Sequence, residues 1–159
     1  MKRTPAGAAA TQVILSTFRA NGVFLASGDR LAEQEGLTSA RWQVLGAIVV
    51  SERPLTVPQI ARRMGLTRQS VHATTNRLLD DGLLDQVPNA DHRRSPLLDL
   101  TQSGRATYAA MDRLQVEWVN ELARRIPKGD LETTARVLEE LSRRLATVDD
   151  RTRTEAISR

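Results

Sequence analysis

The 159-residue chain contains no cysteine, which removes disulfides, thiolate metal sites and thiol-based redox sensing together. Its two histidines, His72 and His92, stand too far apart in sequence to suggest a metal site by themselves. No apolar run approaches the ~18 residues of a membrane span. The opening MKRTPAGAAATQVILSTF is interrupted by Thr11, Gln12 and Ser16, so it makes a poor signal peptide. A cytoplasmic protein without a membrane partner is expected. The chain also lacks a glycine-rich phosphate loop, a cysteine nucleophile and any histidine set beside a serine and a carboxylate in a recognisable motif. Neither enzymatic activity nor a cofactor is expected.

Lysine is scarce: of 23 basic residues only Lys2 and Lys128 are lysine, and the net charge is +4. Arginine's planar fork suits phosphates and base edges, although a GC-rich genome produces the same bias. Position along the chain has to decide between them.

The apolar residues fall into periodic segments. Val13, Ile14, Phe18, Phe24, Leu25 and Leu31 fit one face of a long helix over residues 10–33, after a start that reads as disordered. Gly36 then breaks the chain, and Thr38 or Ser39 caps a second helix carrying Trp42, Leu45, Ile48 and Val49. A short strand is expected at 55–57. Pro58 suits the first turn of a short helix with Ile60, Ala61 and Met64 inward, ended by Gly65. Thr67 caps the next, with Val71, Thr75, Leu78 and Leu79 inward and Gly82 closing it. Two short helices joined by a glycine-containing turn are the sequence form of a helix-turn-helix. LLDQVP (83–88) and PLLDL (96–100) read as two strands joined by NADHRRS, a hairpin or wing. Thr101 caps a helix marked by Tyr108, Met111, Leu114, Trp118, Leu122 and Ile126 up to Pro127. A last helix follows over 130–148, then a polar tail that reads as frayed.

The fold class is therefore mainly α with a small β-wing: a winged helix-turn-helix at about 37–100, flanked by long N- and C-terminal helices at about 10–36 and 101–148, with a polar tail at 149–159. All of it reads as one domain. The outer stripes exceed what so small a module covers, and the same stripes on a second copy are the natural partner. A homodimer is expected.

Three ordered blocks, LTSARWQVLGAI, LTVPQIARRMGLTRQSVHATTNRLLDDGLL and PNADHRRSPLLDLTQSGR, resemble the MarR family of bacterial transcriptional regulators from about Leu37 to Ile126. The last block is the most specific, through Asp91, Arg93, Arg94, Leu100, Thr101 and Gly104. The resemblance implies an obligate dimer on pseudo-palindromic double-stranded DNA, usually a repressor, often released by a small phenolic ligand. His92 departs from the pattern, and without the cysteine of the peroxide-responsive branch thiol oxidation cannot be the switch.

In that setting Arg68, Gln69, Ser70, His72, Ala73, Asn76 and Arg77 form the outward face of a recognition helix. Arg68 suits a guanine and Gln69 an adenine, each worth about 1–3 kcal/mol of discrimination. Thr67 and Ser70 suit phosphates, together with the free N–H groups of the helix start. Arg77 is open between a phosphate and an i,i+4 ion pair with Asp81. At the wing tip one arginine, with Arg94 preferred, suits the narrow minor groove, held in the inserting direction by Asp91, and the other suits a phosphate. Arg41 and Trp42 are candidates for an anionic or aromatic effector, with packing the ordinary role for Trp42 and for Phe18, Phe24, Tyr108 and Trp118. The competing reading is a winged-helix module that binds a protein without specific DNA binding; Arg68, Arg93 and Arg94 argue against it.

Overall fold

The computed structural model describes residues 2–90, 92 and 95–157, with side chains described as far as residue 147. Thr4 opens the first helix: its backbone is extended, its hydroxyl accepts the Gly7 N–H at 3.0 Å, and Pro5 occupies the first turn, where a missing N–H costs nothing. Helix α1 therefore runs Pro5–Ala32 and takes in the stretch that read as disordered, because a cap, a proline and a run of alanines favour helix there. A 3-10 turn, Glu33–Glu35, and left-handed Gly36 (φ 65°) end it.

Thr38 caps α2 (Ser39–Val49), and Thr56 caps α3 (Val57–Met64) in a reciprocal box: Gln59 N–H donates to the Thr56 hydroxyl at 3.4 Å and Thr56 N–H to Gln59 Oε1 at 2.8 Å. α4 covers Arg68–Asp80, β1 Leu84–Val87, β2 Leu97–Leu100, α5 Gln102–Ala123 and α6 Lys128–Ile157. The strand expected at 55–57 reduces to a single bridge from Leu55 to Leu98, because Val57 already belongs to the capped α3. α5 stops at Ala123, ahead of Ile126, and Arg125 turns the chain in a left-handed conformation (φ 68°). α6 continues to Ile157 rather than fraying near 148; no proline or glycine interrupts its last turns.

Two compact units divide the chain, Met1–Val116 and Glu117–Arg159. In the first, Val44, Leu45 and Ile48 of α2 meet Ile60 and Ala61 of α3, Val71, Thr75 and Leu78 of α4, and Leu55, Leu84, Leu98, Leu100 and Met111 in one core. Each fully buried leucine or isoleucine contributes about 1.5–3 kcal/mol. Thr75 enters this core because its hydroxyl donates to the His72 carbonyl at 3.0 Å. Trp42 and Tyr108 pack against it. Burial, then the Asp112 carboxylate, raises the Tyr108 phenol above the ordinary 10.0.

Phe18 and Phe24 do not pack: they are 71% and 59% exposed, beside exposed Leu15 and Val23, because their face of α1 lies outside the module that α2–α4 build. In the second unit Glu140 accepts from Arg143 and Arg144, and those bonds hold its carboxyl below the usual range, Arg143 first. Among the described residues no helix is long and apolar enough to cross a membrane.

One junction fixes the hairpin to α5. The Thr101 hydroxyl donates to the Gly82 carbonyl at 2.8 Å and accepts the Gly104 N–H at 2.9 Å, while Thr101 N–H donates to the Leu83 carbonyl at 3.2 Å. Gly104 lies so close to that carbonyl that a Cβ on it would sit 2.0 Å from the Leu83 oxygen. Only glycine fits.

Candidate nucleic-acid interface

Helix α3 ends on Gly65, left-handed at φ 63°, and Leu66 N–H returns to the Ala61 carbonyl at 3.0 Å, so the chain turns sharply into Thr67. Thr67 is extended and its hydroxyl oxygen accepts the Ser70 N–H at 3.1 Å, which caps α4 as expected. The same bond uses one of the N–H groups assigned to phosphate. Among the described residues nothing accepts from those of Arg68 and Gln69 at the helix start, nor from the Thr67 hydroxyl.

From this start the helix sorts its faces as the periodicity predicts. Val71, Thr75 and Leu78 are buried, while Arg68, Gln69, Ser70, His72, Asn76 and Arg77 are exposed. Asn76 Nδ2 lies 3.3 Å from His72 Nδ1, so the imidazole is steadied from one turn further along. Arg77 does not pair with Asp81. The Asp81 carboxylate is taken by Arg41, which also donates to the Gly36 carbonyl at 3.2 Å, and Arg77 has no ion pair among the described residues.

Arg41 is thus an internal strut: its side chain is 16% exposed, and its Nε is buried without a partner. Trp42 is half-buried against the core.

The hairpin pairs Leu84 with Leu100, Asp85 with Asp99, Gln86 with Leu98 and Val87 with Leu97. Facing carboxylates repel. Here Asp99 is compensated by Arg105 Nη2 at 2.8 Å and the Leu100 N–H at 2.8 Å. At the connection Asn89 Nδ2 donates to the Ser95 carbonyl at 2.7 Å and Ser95 N–H to the His92 carbonyl at 3.0 Å. Asp91, Arg93 and Arg94 lie outside the described residues. Between α4 and the hairpin opens a cleft of about 430 Å³, with Arg68, Gln69, His72 and Asn76 on one wall and Gln86, Ser95 and Pro96 on the other.

Residues 35–95, which hold α2 to the hairpin connection, match the sequence profile of the MarR family. The chain belongs to the MarR family.

An uncharacterized protein of Mycobacterium tuberculosis is 42% identical over 123 residues, covering 77% of this chain and 85% of that protein. The Rhodopseudomonas palustris transcriptional activatory protein BadR is 36% identical over 90 residues, 54% of this chain and 50% of BadR. In fold, the chain matches a MarR-family transcription regulator at TM-score 0.73 (20% identity, covering 89% of this chain and 93% of that one). It also matches the Mycobacterium tuberculosis regulator MosR, solved with DNA, at 0.72 (23% identity, 84% and 96%). The helices flanking the winged helix-turn-helix are thus part of a MarR fold, and as a member of the MarR family the protein is a DNA-binding transcriptional regulator.

Sequence reasoning did not single out two arginines that lie away from this cleft. Arg53 and Arg62, both exposed, line a second cleft of about 460 Å³ with Thr56, Gln59 and His92 on the far side of the hairpin. Neither has an ion pair among the described residues, and a surface arginine beside the wing of a MarR protein was the signal available for finding them.

Proposed function

We propose that this MarR protein acts in the cytoplasm as a homodimer that binds a pseudo-palindromic double-stranded operator sequence-specifically and represses by occupying it. The observation that carries the reading is the face of α4. A capped first turn presents Arg68 and Gln69 outward, with Arg77 further along in no ion pair among the described residues and the hairpin alongside. Arg68 and Gln69 read base edges in the major groove, Thr67, Ser70 and His72 position the helix on the backbone, and Arg77 meets a phosphate. Arg94 enters the minor groove, with Arg93 on a phosphate and Asp91 orienting the pair.

The dimer is supported by Leu15, Phe18, Val23 and Phe24, exposed along one helix. Release by a small aromatic effector is supported by two structures of this fold: Staphylococcus aureus MarR in complex with salicylate and kanamycin, and an organohalide-sensing regulator bound to 2,4-dichlorophenol.

Fluorescence anisotropy of the purified protein on its own upstream DNA, against random competitor at several salt concentrations, tests the reading together with light scattering. Salt-sensitive binding by a dimer that survives competitor supports it. Equal binding of operator and random DNA, there and in a genome-wide selection of bound fragments, refutes it in favour of a protein partner. Because BadR is named an activatory protein, a promoter reporter is read in both directions: loss of the regulator raises expression if it represses.

A further inference from the structure

Arg41 and Asp81 are 40 residues apart in sequence, yet their side chains meet where the first turn of α2 faces the last turn of α4. Asp81 is the C-terminal cap of α4, with φ −83° and ψ 0°, and left-handed Gly82 (φ 66°) follows it. The Arg41 guanidinium donates to the Asp81 carboxylate and, at 3.2 Å, to the carbonyl of left-handed Gly36. The turn that carries Arg41 is itself fixed to α1: Asp29 Oδ1 accepts the Ser39 N–H at 2.7 Å, Gln43 Nε2 donates to the Ser39 hydroxyl at 3.0 Å, and a Cβ on Gly28 would stand 2.9 Å from that hydroxyl. α2's first turn thus has α1 on one side and the end of α4 on the other.

We propose that Arg41 is a positioning residue for DNA reading: through Asp81 it sets the tilt and roll of α4, and so the register at which Arg68 and Gln69 meet the bases. This rests on the operator-binding reading above. The core contacts of α4 through Val71, Thr75 and Leu78 hold it against the domain, but apolar contact is non-directional and resists roll poorly. A charged, hydrogen-bonded guanidinium–carboxylate contact is directional. It acts at the end of α4 opposite the base readers, so the helix is a lever. With 13 residues at about 1.5 Å each, a tilt of about 5° at Asp81 moves the reading end by about 1.7 Å, more than the ~0.5 Å range of good hydrogen-bond lengths tolerates. Phosphate contacts, made by long side chains to a repeating backbone, absorb such a shift. The strut therefore sets specificity without touching DNA.

The test compares wild type, Arg41→Ala, Arg41→Lys, Asp81→Asn and the Arg41→Ala/Asp81→Asn double variant by anisotropy on operator and random DNA, with salt titrations and thermal melts on the same samples. Arg41→Ala and Asp81→Asn each lower operator affinity about tenfold, the scale of one misaligned base contact. Random-DNA affinity stays within about twofold and the salt slope on random DNA is unchanged, because no phosphate contact is lost. The double variant loses no more than the worse single one, since both break one contact, and Arg41→Lys falls between, with the charge kept but the fork lost. Equal losses on operator and random DNA, additive losses in the double variant, or full operator affinity in Asp81→Asn each overturn the proposal. If Arg41→Ala fails to fold, Asp81→Asn and Arg41→Lys carry the comparison. A wild type that does not distinguish operator from random DNA overturns the operator reading and this inference with it; variants that match a discriminating wild type overturn this inference alone.

Discussion

Gly104→Ala is the substitution whose cost the structure states most directly. The new methyl carbon would lie 2.0 Å from the Leu83 oxygen and 3.0 Å from the Leu83 carbonyl carbon, both backbone atoms that no rotamer change can clear. Ordinary C···O contacts begin near 3.3 Å, so the first turn of α5 has to retreat by more than about 1 Å. That retreat stretches the bonds centred on Thr101, 3.2 Å to the Leu83 carbonyl and 2.8 Å to the Gly82 carbonyl. Overpacking of this kind costs about 1–3 kcal/mol. Each hydrogen bond lost adds about 1 kcal/mol, and alanine's better helix propensity returns about 1 kcal/mol. A net loss of about 3 kcal/mol lowers Tm by roughly 6–12 °C in a chain of this size. Circular dichroism melts of Gly104→Ala beside Gly129→Ala measure it, since a Cβ at Gly129 meets nothing within 4 Å and that variant should melt with wild type or slightly above. A Gly104→Ala melt within about 1 °C of wild type would refute the reasoning, because it would mean the hairpin–α5 junction relaxes at no cost.

Arg68→Ala should reduce discrimination at one position per half-site by about 1–3 kcal/mol, whereas Arg77→Ala should weaken operator and random DNA alike and lower the salt slope by about one; competition binding at several salt concentrations separates them. Thr67→Ala removes the cap of α4 and should cost about 1 kcal/mol in urea unfolding, with Thr67→Ser restoring it. Phe18→Glu places a charge on the exposed apolar surface of α1; on the proposed dimer reading, light scattering should show a dimer for wild type and a monomer for the variant. The Tyr108 phenol is raised above its unfolded value, so its contribution is complete below about pH 10 and is lost as pH climbs through the folded value. Alkaline melts of Tyr108→Phe should therefore lose less stability above about pH 10 than wild type.

What the sequence made legible was local. The cap at Thr67, the inward set Val71, Thr75 and Leu78, and left-handed Gly65 all follow from spacings inside one helix or turn, where period and capping chemistry act without the rest of the chain. The bond from Arg41 to Asp81 was not legible, and the i,i+4 spacing offered Asp81 only Arg77 as a partner, a pairing left open beside a phosphate contact, because nothing in either segment encodes that α2 and the end of α4 meet. Gly104 was visible as part of a motif, but its reason is a carbonyl on another element. Phe18 and Phe24 had the spacing of core residues; spacing marks a face and does not say whether the chain's own elements cover it. At the N-terminus the signal was present in Thr4 and Pro5, and the alanines after them were read as low order rather than as helix formers.

The bridge between Leu55 and Leu98 has a consequence for how the protein behaves when crowded. Leu98 exchanges hydrogen bonds with Leu55 at 3.1 Å and 2.8 Å and is paired with Gln86 on its other side, so β2 is occupied on both edges at its centre. That leaves β1 as the open edge: four residues long, with Asp85 and Gln86 exposed. So short an edge, carrying a carboxylate, is a poor template for a strand from another molecule. On the proposed operator reading, the hairpin can therefore be offered to a groove without becoming a site of aggregation.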